Sequence, residues 1–284
     1  MRFDSLEDKM LYFRSLADYK LMAKTPVLIM LDGRSFSKVI KKRFKRPFDD
    51  DFINMMNQTA KYLCENAGNC KFAYIQSDEI TLFLSDLDNP NAETFFGYRL
   101  CKLQSIIASM AAAKFNQLLS LYEVSHSNGD NDPSAIIGGM KLVEFDCRAW
   151  NVPTEYDVMA WFIYRQNDCV RNSKAQSAQT YLPHKTLLGK KVDDQIDILL
   201  KEKGINWYDF TNGEKYGRFV YKTQESFYNK EHDISYMRSV WKVSGAWPLQ
   251  EMEGRKKLYD LGIFAYYKPQ EEQSDDKVLN NEDF

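Results

Sequence analysis

The sequence predicts an α+β protein built on a ferredoxin-like β-α-β-β-α-β unit, with appended helices and a C-terminal extension. Three observations predict it. The apolar runs "PVLIML", "KFAYIQ" and "ITLFLS" each have strand length. A long amphipathic stretch stands between the first two runs, and another follows the third. Only Ser77-Asp78-Glu79 separates the second run from the third, which is the spacing of a tight hairpin.

In chain order, residues 5–20 place Leu6, Met10, Tyr12, Phe13 and Leu16 near a helical period. Pro26 opens the first strand, "PVLIML". Next, "DDDFINMMNQTAKYLCENAG" puts Phe52, Met55, Met56, Thr59 and Leu63 on one helix face, with acids in its first turn and Gly68 after its last. The hairpin follows, then a long helix in "AETFFGYRLCKLQSIIASMAAAKFNQLL". "SHSNGDNDPS" is loop composition, and "AIIGGMKLVEFDCRAW" reads as a closing strand region. Right-handed crossover makes strands one and two parallel and inserts strand three antiparallel between them.

Residues 1–150 form this unit, and residues 151–269 form a helical and mixed region packed on or beside it. That region comprises a long helix from Pro153, a shorter one closed by Gly204, and an aromatic strand-like stretch, "GRFVYK". Residues 270–284 hold six acids and one lysine and are expected to be disordered.

At 284 residues, with 44% hydrophobic and 14% aromatic content, the chain can fill a sizeable core. The formal charge is −2, and because the tail carries net −5, residues 1–269 carry net +3 by difference. A mildly basic body permits a nucleic-acid partner without demonstrating one. Five scattered cysteines contain no Cys-x-x-Cys pair, so neither a disulfide framework nor a zinc knuckle is indicated, and a reducing cytoplasm fits. No stretch reaches the length of a membrane span.

Two apolar runs end in acids. Asp32 closes the first strand, and Asp78 with Glu79 occupies the hairpin turn. The topology brings the end of strand one beside the start of strand three, so these carboxylates converge. Converging carboxylates repel and acquire raised pKa values unless a cation lies between them. Hard oxygen ligands suit Mg2+, which keeps several waters and binds phosphate oxygens alongside few protein acids. Gly33 lets backbone approach an ion closely, and the amides of Gly33, Arg34, Ser35 and Phe36 can cradle a triphosphate. The combination resembles a polymerase or cyclase palm, where two acids hold two metals for nucleotidyl transfer.

The series "LDGRSFSK", "KRPFDDDF", "QSDEITLF", "EFDCRAWNVP" and "YRQNDCVRNS" resembles the tRNA-His guanylyltransferase family, including its Thg1-like branch, across roughly residues 1–210. The resemblance implies a palm-like nucleotidyltransferase that uses two Mg2+ ions and GTP, ATP or other nucleoside triphosphates. It would extend tRNA at the 5′ end, in the 3′→5′ direction, and act as a homotetramer. Carried over by residue, it makes Asp32, Asp78 and Glu79 the catalytic acids, with Asp32, Gly33 and Asp78 as metal ligands. Nucleotide binding falls to Asp32, Gly33, Arg34, Ser35, Phe36 and Ser37, together with Ser77 and Asp78. Lys38, Lys45, Arg46, Arg99, Lys102, Arg165 and Asn172 are candidate contacts to tRNA or phosphate. The eukaryotic enzymes read Cys-His-Ile-Asn-Asn where this chain has Val170 and Arg171 after Cys169. That difference implies the Thg1-like branch, whose work is template-directed repair of truncated tRNA 5′ ends.

The run "KKRFKRPF", residues 41–48, interleaves five cations with two aromatics and fits either RNA backbone contact or a solvated loop. "RQNDCVRNS" fits phosphate contact through Arg165 or Arg171, or a hydrogen-bond network between helices. His126, His184 and His232 have no partner legible in the sequence. Addition of a single 5′ guanylate to tRNA-His is the alternative activity. A non-catalytic RNA-binding module of the same topology is another, but the inner strands lack its exposed aromatic signature. A nucleotide cyclase would share the palm and metals while leaving the basic run unused.

Overall fold

The computed structural model describes residues 3–269 except 37, 39–42, 90, 128–131 and 231. Ser37, Lys41, Lys42 and the acidic tail therefore lie outside the described residues.

One six-stranded sheet organises the chain. Its strands are β1 (Val27–Gly33), β2 (Cys70–Gln76), β3 (Glu79–Leu84), β4 (Phe145–Asn151), β5 (Arg218–Asn229) and β6 (Ile234–Gly245), in the order β4-β1-β3-β2-β5-β6. β3 lies between β1 and β2 and is antiparallel to both, as the crossover argument requires. β5 extends the same sheet by pairing with β2 from Phe72↔Tyr221 to Ile75↔Arg218, so the C-terminal region is continuous with the N-terminal unit.

Strand alternation sends β1 side chains to two cores. Val27, Ile29 and Leu31 join α2 (Asp50–Asn66) and α3 (Leu100–Ser125) on one face, where Phe36, Phe52, Leu63, Leu103 and Phe115 are buried. Leu28 faces the other side with Phe72, Tyr74 and Phe83, against α5 (Glu155–Tyr181) and the segment from Ala246 to Tyr267. All five residues expected on the inner face of α2 are buried there. Asp49 caps that helix by accepting from the Phe52 amide at 3.0 Å. α5 starts on a capping box in which Thr154 and Asp157 satisfy each other's backbone amides.

Several elements depart from the sequence expectation. α1 spans only Leu6–Ser15, and Leu6, Met10, Phe13 and Leu16 are exposed, so none of the described residues covers its apolar stripe. α3 begins at Leu100 and not near residue 92, because Phe96, Gly97 and Tyr98 adopt positive φ and break the helix there. Pro133–Gly139, expected to be the end of a loop and the start of a strand region, forms the short helix α4, with Asp132 capping the Ser134 amide. β5 runs twelve residues, well beyond "GRFVYK", and its partner β6 was not anticipated. The long run of β5 is supported by β6 alone after Tyr221, where no apolar face marks a strand in the sequence.

Behind α5, Leu182, Leu187 and Leu199 form a small third core with α6 (His184–Leu187) and α7 (Val192–Lys203). Gly204 ends α7 at φ 66°, a left-handed cap that suits glycine. α8 (Asn212–Tyr216) precedes β5, and α9 (Met252–Asp260) follows β6. Among the described residues, no helix is long and apolar enough to cross a membrane. All five cysteines are free thiols.

Candidate active site

Register builds an acidic row across three strands. Asp32 pairs with Glu79 on β3 and with Asp146 on β4. Directly opposed residues in antiparallel strands project from the same face, so the three carboxylates stand abreast. Asp78 adds a fourth from the two-residue turn between β2 and β3, where Ser77 takes φ 45°. That left-handed conformation is costly for a residue with a side chain and sharpens the turn. Asp146 was missed in the sequence. Its motif "EFDCRAW" was visible, but only the β1–β4 register brings it opposite Asp32.

Glu79 is already neutralised. Arg165 on α5 donates through Nε and Nη2 to both of its carboxylate oxygens and through Nη1 to Asp168 at 2.6 Å. Burial alone would lower the Arg165 pKa, but its two acidic partners more than offset that and hold the charge firmly in place. Asp168 also accepts from Arg171 at 2.6 Å.

Asp32 and Asp78 carry the strain. Burial raises Asp78 to about 6, with Asp32 and Glu79 adding repulsion, despite hydrogen bonds from its own backbone and Ser77 that act the other way. Burial likewise raises Asp32, and the charge of Asp146 adds to it. Two carboxylates of raised pKa lining one cleft, with Gly33 next to Asp32 in the chain, are a short set of hard oxygen donors. Among the described residues, no three His, Cys, Asp or Glu side chains gather into a preformed metal cage. The set fits Mg2+, which takes few protein ligands and completes its shell from water and phosphate.

The segment after β1 is built from the core outward. A Cβ on Gly33 would lie 2.3 Å from the Phe36 ring, so glycine here is demanded by packing as well as by any ligand. The Phe36 ring is buried against Phe52, Phe115 and Phe145, which makes its side chain an anchor of the core and not a ligand contact. The Arg34 amide donates to the Glu144 carbonyl at 2.9 Å, and its guanidinium pairs with the Glu144 carboxylate at 2.7 Å. Arg34 is thus engaged by the approach to β4, where the sequence led to the expectation of a free amide. Ser35 takes φ 59°, and Lys38 is exposed.

Asp32, Asp78 and Glu79 line a cleft of about 330 Å³ at the end of the sheet, shared with Lys45, Phe48, Asn172 and Arg218. Its rim is tied down at two points: Gln176 donates to the Pro47 carbonyl at 2.8 Å, and the Lys45 amide donates to Asp49 at 2.9 Å. Arg46 is exposed beside this rim, whereas Arg43 pairs with Glu123.

The remaining expectations divide. Asn172 reaches the cleft, but Arg165 is held by two acids and not free for phosphate. Arg99 and Lys102 are not brought to the site. Arg99 pairs with Asp18 and bridges Lys20, beside the segment that leads into the start of β1, and Lys102 lies over Phe96. Asp32 stands at the opposite end of that strand. The amide-rich stretch of α5 is in part a structural network, since Gln166 joins the Trp247 carbonyl to the Leu249 amide and Ser173 accepts from Trp207.

Known proteins resemble this chain in sequence and fold. The family profile described as tRNAHis guanylyltransferase, Thg1, matches residues 8–153. The tRNA(His) guanylyltransferase of Debaryomyces hansenii is 28% identical over 224 residues, covering 75% of this chain and 78% of that protein. That of Neurospora crassa is 27% identical over 216 residues, covering 72% and 69%. A bacterial tRNA(His) guanylyltransferase (Thg1)-like protein solved in complex with ATP superposes with a TM-score of 0.76 at 31% identity, covering 93% of this chain and 100% of that one. A bacterial structure of the same description in complex with GTP gives 0.70 at 30% identity, covering 92% and 99%. A family profile over half of the chain and a superposition that covers 93% of it lead to one conclusion: the chain belongs to the tRNAHis guanylyltransferase family and is a nucleotidyltransferase.

Proposed function

We propose that this chain is a metal-dependent 3′→5′ nucleotidyltransferase that repairs the 5′ end of tRNA, choosing each nucleotide by pairing with the opposing acceptor strand. The observation that carries the reading is the pair Asp32 and Asp78, which line one cleft and each have a carboxyl pKa raised by burial and by a neighbouring acid.

In this reading Asp32, Asp78 and the Gly33 carbonyl hold two Mg2+ ions. When bound, the ions neutralise phosphate charge and lower the pKa of the attacking hydroxyl. The protein's own groups position the reactants. The segment that follows Asp32, apart from the Arg34 amide already held by Glu144, is the proposed triphosphate cradle together with Ser77 and Lys38, while Lys45, Arg46 and Asn172 meet the RNA. The Arg165–Glu79 pair keeps the turn carrying Asp78 in place. In the transfer step the 3′-hydroxyl of the incoming nucleotide gives up its proton and bonds to the α-phosphorus of the RNA 5′-triphosphate, and pyrophosphate leaves. An RNA with a 5′-monophosphate would first be activated by a nucleoside triphosphate, such as the ATP and GTP found in the bacterial relatives. The free thiols suit a cytoplasmic site of action, and a homotetramer is the assembly proposed.

Val170 and Arg171 support the templated branch, because no histidine stands there. A second reading, addition of one guanylate to tRNA-His, is favoured by the names of the curated relatives. The test is a matrix of four templating bases against four nucleoside triphosphates, on tRNA transcripts lacking the first nucleotide and bearing a 5′-triphosphate. Products along the pairing diagonal support repair. GTP addition indifferent to the template supports the second reading, and no addition anywhere refutes both.

A further inference from the structure

The acidic row is approached from two sides. The cleft opens on the side of β2 and β5, where Gln76 and Arg218 line it. On the other side the row ends at β4, the edge strand of the sheet. The surface there carries aromatic rings and an arginine that the cleft does not use.

Trp150 on β4 meets Trp161 on α5 edge-to-face, with ring centroids 4.9 Å apart, and marks where strand and helix touch. From that contact each element runs towards the acidic row. On β4, strand alternation puts Arg148 on the face shared by Trp150 and Asp146, between the two. On α5, one turn leads from Trp161 to Tyr164, and the next residue is Arg165, which grips Glu79. Both side chains are open. Arg148 is 67% exposed, its one ion-pair partner among the described residues is Asp146 at 3.7 Å, and its charge counters the rise in the Asp32 pKa. Tyr164 is 53% exposed, with its ring centroid 5.7 Å from that of Trp161 and 5.3 Å from the Arg165 guanidinium. A ring packed against an indole and a guanidinium is already held in place, so little freedom is lost when a second flat group stacks on it.

Templated transfer needs such a group. The base that selects the incoming nucleotide is unpaired until that nucleotide arrives, and the site must hold any of the four bases. Hydrogen bonds to a base edge discriminate, whereas stacking tolerates every base because each has a π-face. We propose that Tyr164 stacks on the unpaired templating base of the acceptor strand and that Arg148 meets a phosphate of the same strand. This rests on the proposed reading of the chain as a template-directed enzyme and adds what holds the template. Continuity identifies the occupant as RNA: the platform adjoins the acids at which the RNA 5′ end reacts, and base pairing places the templating base beside that end. A duplex end is wide enough to rest on this platform and on the Lys45–Arg46 rim together.

The test uses the full chain with Mg2+ and tRNA transcripts lacking the first nucleotide, with 2-aminopurine at the templating position, because stacking quenches its fluorescence. It is repeated on Tyr164→Ala, Tyr164→Phe and Arg148→Gln, with steady-state kinetics on transcripts bearing each natural templating base. Binding to the unmodified protein should quench the probe. Tyr164→Ala should lose the quenching and raise KM for RNA roughly tenfold with all four templating bases, leaving KM for the nucleoside triphosphate unchanged. Tyr164→Phe should retain both properties, and Arg148→Gln should keep the quenching while reducing the slope of log RNA affinity against log salt by about 0.7. Absence of quenching with the unmodified protein, or full quenching and unchanged KM in Tyr164→Ala, would overturn the stacking contact while leaving templated repair standing. A loss confined to one templating base would mean edge recognition and overturn it as well. An unchanged salt slope in Arg148→Gln would overturn the phosphate contact. Addition indifferent to the template by the unmodified protein would overturn the templated reading and this inference together.

Discussion

Arg165 grips Glu79 at two points across the interface between α5 and β3, and both side chains are largely buried, at 13% and 8% exposed. The pair offsets one negative charge of the row Asp146–Asp32–Glu79, leaving Asp32 between the charges of Asp146 and of Asp78 in the turn. A two-point arginine fork also fixes the direction of the strand that begins at Glu79, and with it the preceding turn.

Breaking this pair from one side should be severe. Arg165→Met leaves Glu79 and Asp168 without their shared cation, and removal of one partner of a buried pair costs about 3–5 kcal/mol. The double variant Arg165→Met, Glu79→Leu should recover much of that, because the uncompensated charge goes with it. A denaturant-unfolding cycle over the four proteins measures the coupling, and additive effects of the single substitutions would refute it. Arg165→Lys should behave nearly as poorly as Arg165→Met, since an ammonium cannot span both oxygens.

Asp32→Ala and Asp78→Ala should each abolish nucleotide addition while the protein stays folded, because each removes a ligand from a two-acid site. Near-normal turnover by either variant at saturating Mg2+ would refute the assignment. Circular dichroism and a melting curve on the same samples establish the fold.

The metal-free protein should become more stable on mild acidification. The folded pKa of Asp78 is raised to about 6 from an ordinary 3.8, so the native state binds more protons than the unfolded chain between those values. Stability therefore rises as pH falls from 7 towards 4, by roughly 1–3 kcal/mol at most from this group. Melting in EDTA across that range measures it. In Asp78→Asn the dependence should flatten, and an unchanged slope would show that other groups are responsible.

Gly33→Ala should destabilise by about 1–3 kcal/mol, since its methyl would lie 2.3 Å from a Phe36 ring that is itself packed among three other aromatics. Phe36→Leu in the same chain should relieve the clash partly. A Gly33→Ala variant of unchanged Tm would contradict the packing.

RNA affinity should depend on salt through the cleft rim. Lys45→Gln with Arg46→Gln should reduce the slope of log affinity against log salt by roughly 0.7 for each single-strand phosphate that these two side chains neutralise. Arg99→Gln with Lys102→Gln should leave the slope unchanged, because these residues sit at the far end of the sheet. The reverse pattern would move the RNA path to that end.

Sequence alone determined the β-α-β-β-α-β order, the buried face of α2 and the meeting of Asp32 with the β2–β3 turn. These follow from local periodicity and from the handedness of a single crossover, both of which act over short stretches of chain. Only the tertiary structure decided which charges are free. Arg165 looked available for phosphate and is held by Glu79 and Asp168; Arg34 is taken by Glu144; and Arg99 is carried to the wrong end of the sheet. Asp146 and Arg218 enter the site through the pairing of β1 with β4 and of β2 with β5, contacts separated by more than a hundred residues. No local pattern records such a register, because it is set where the strands' apolar faces meet two cores at once.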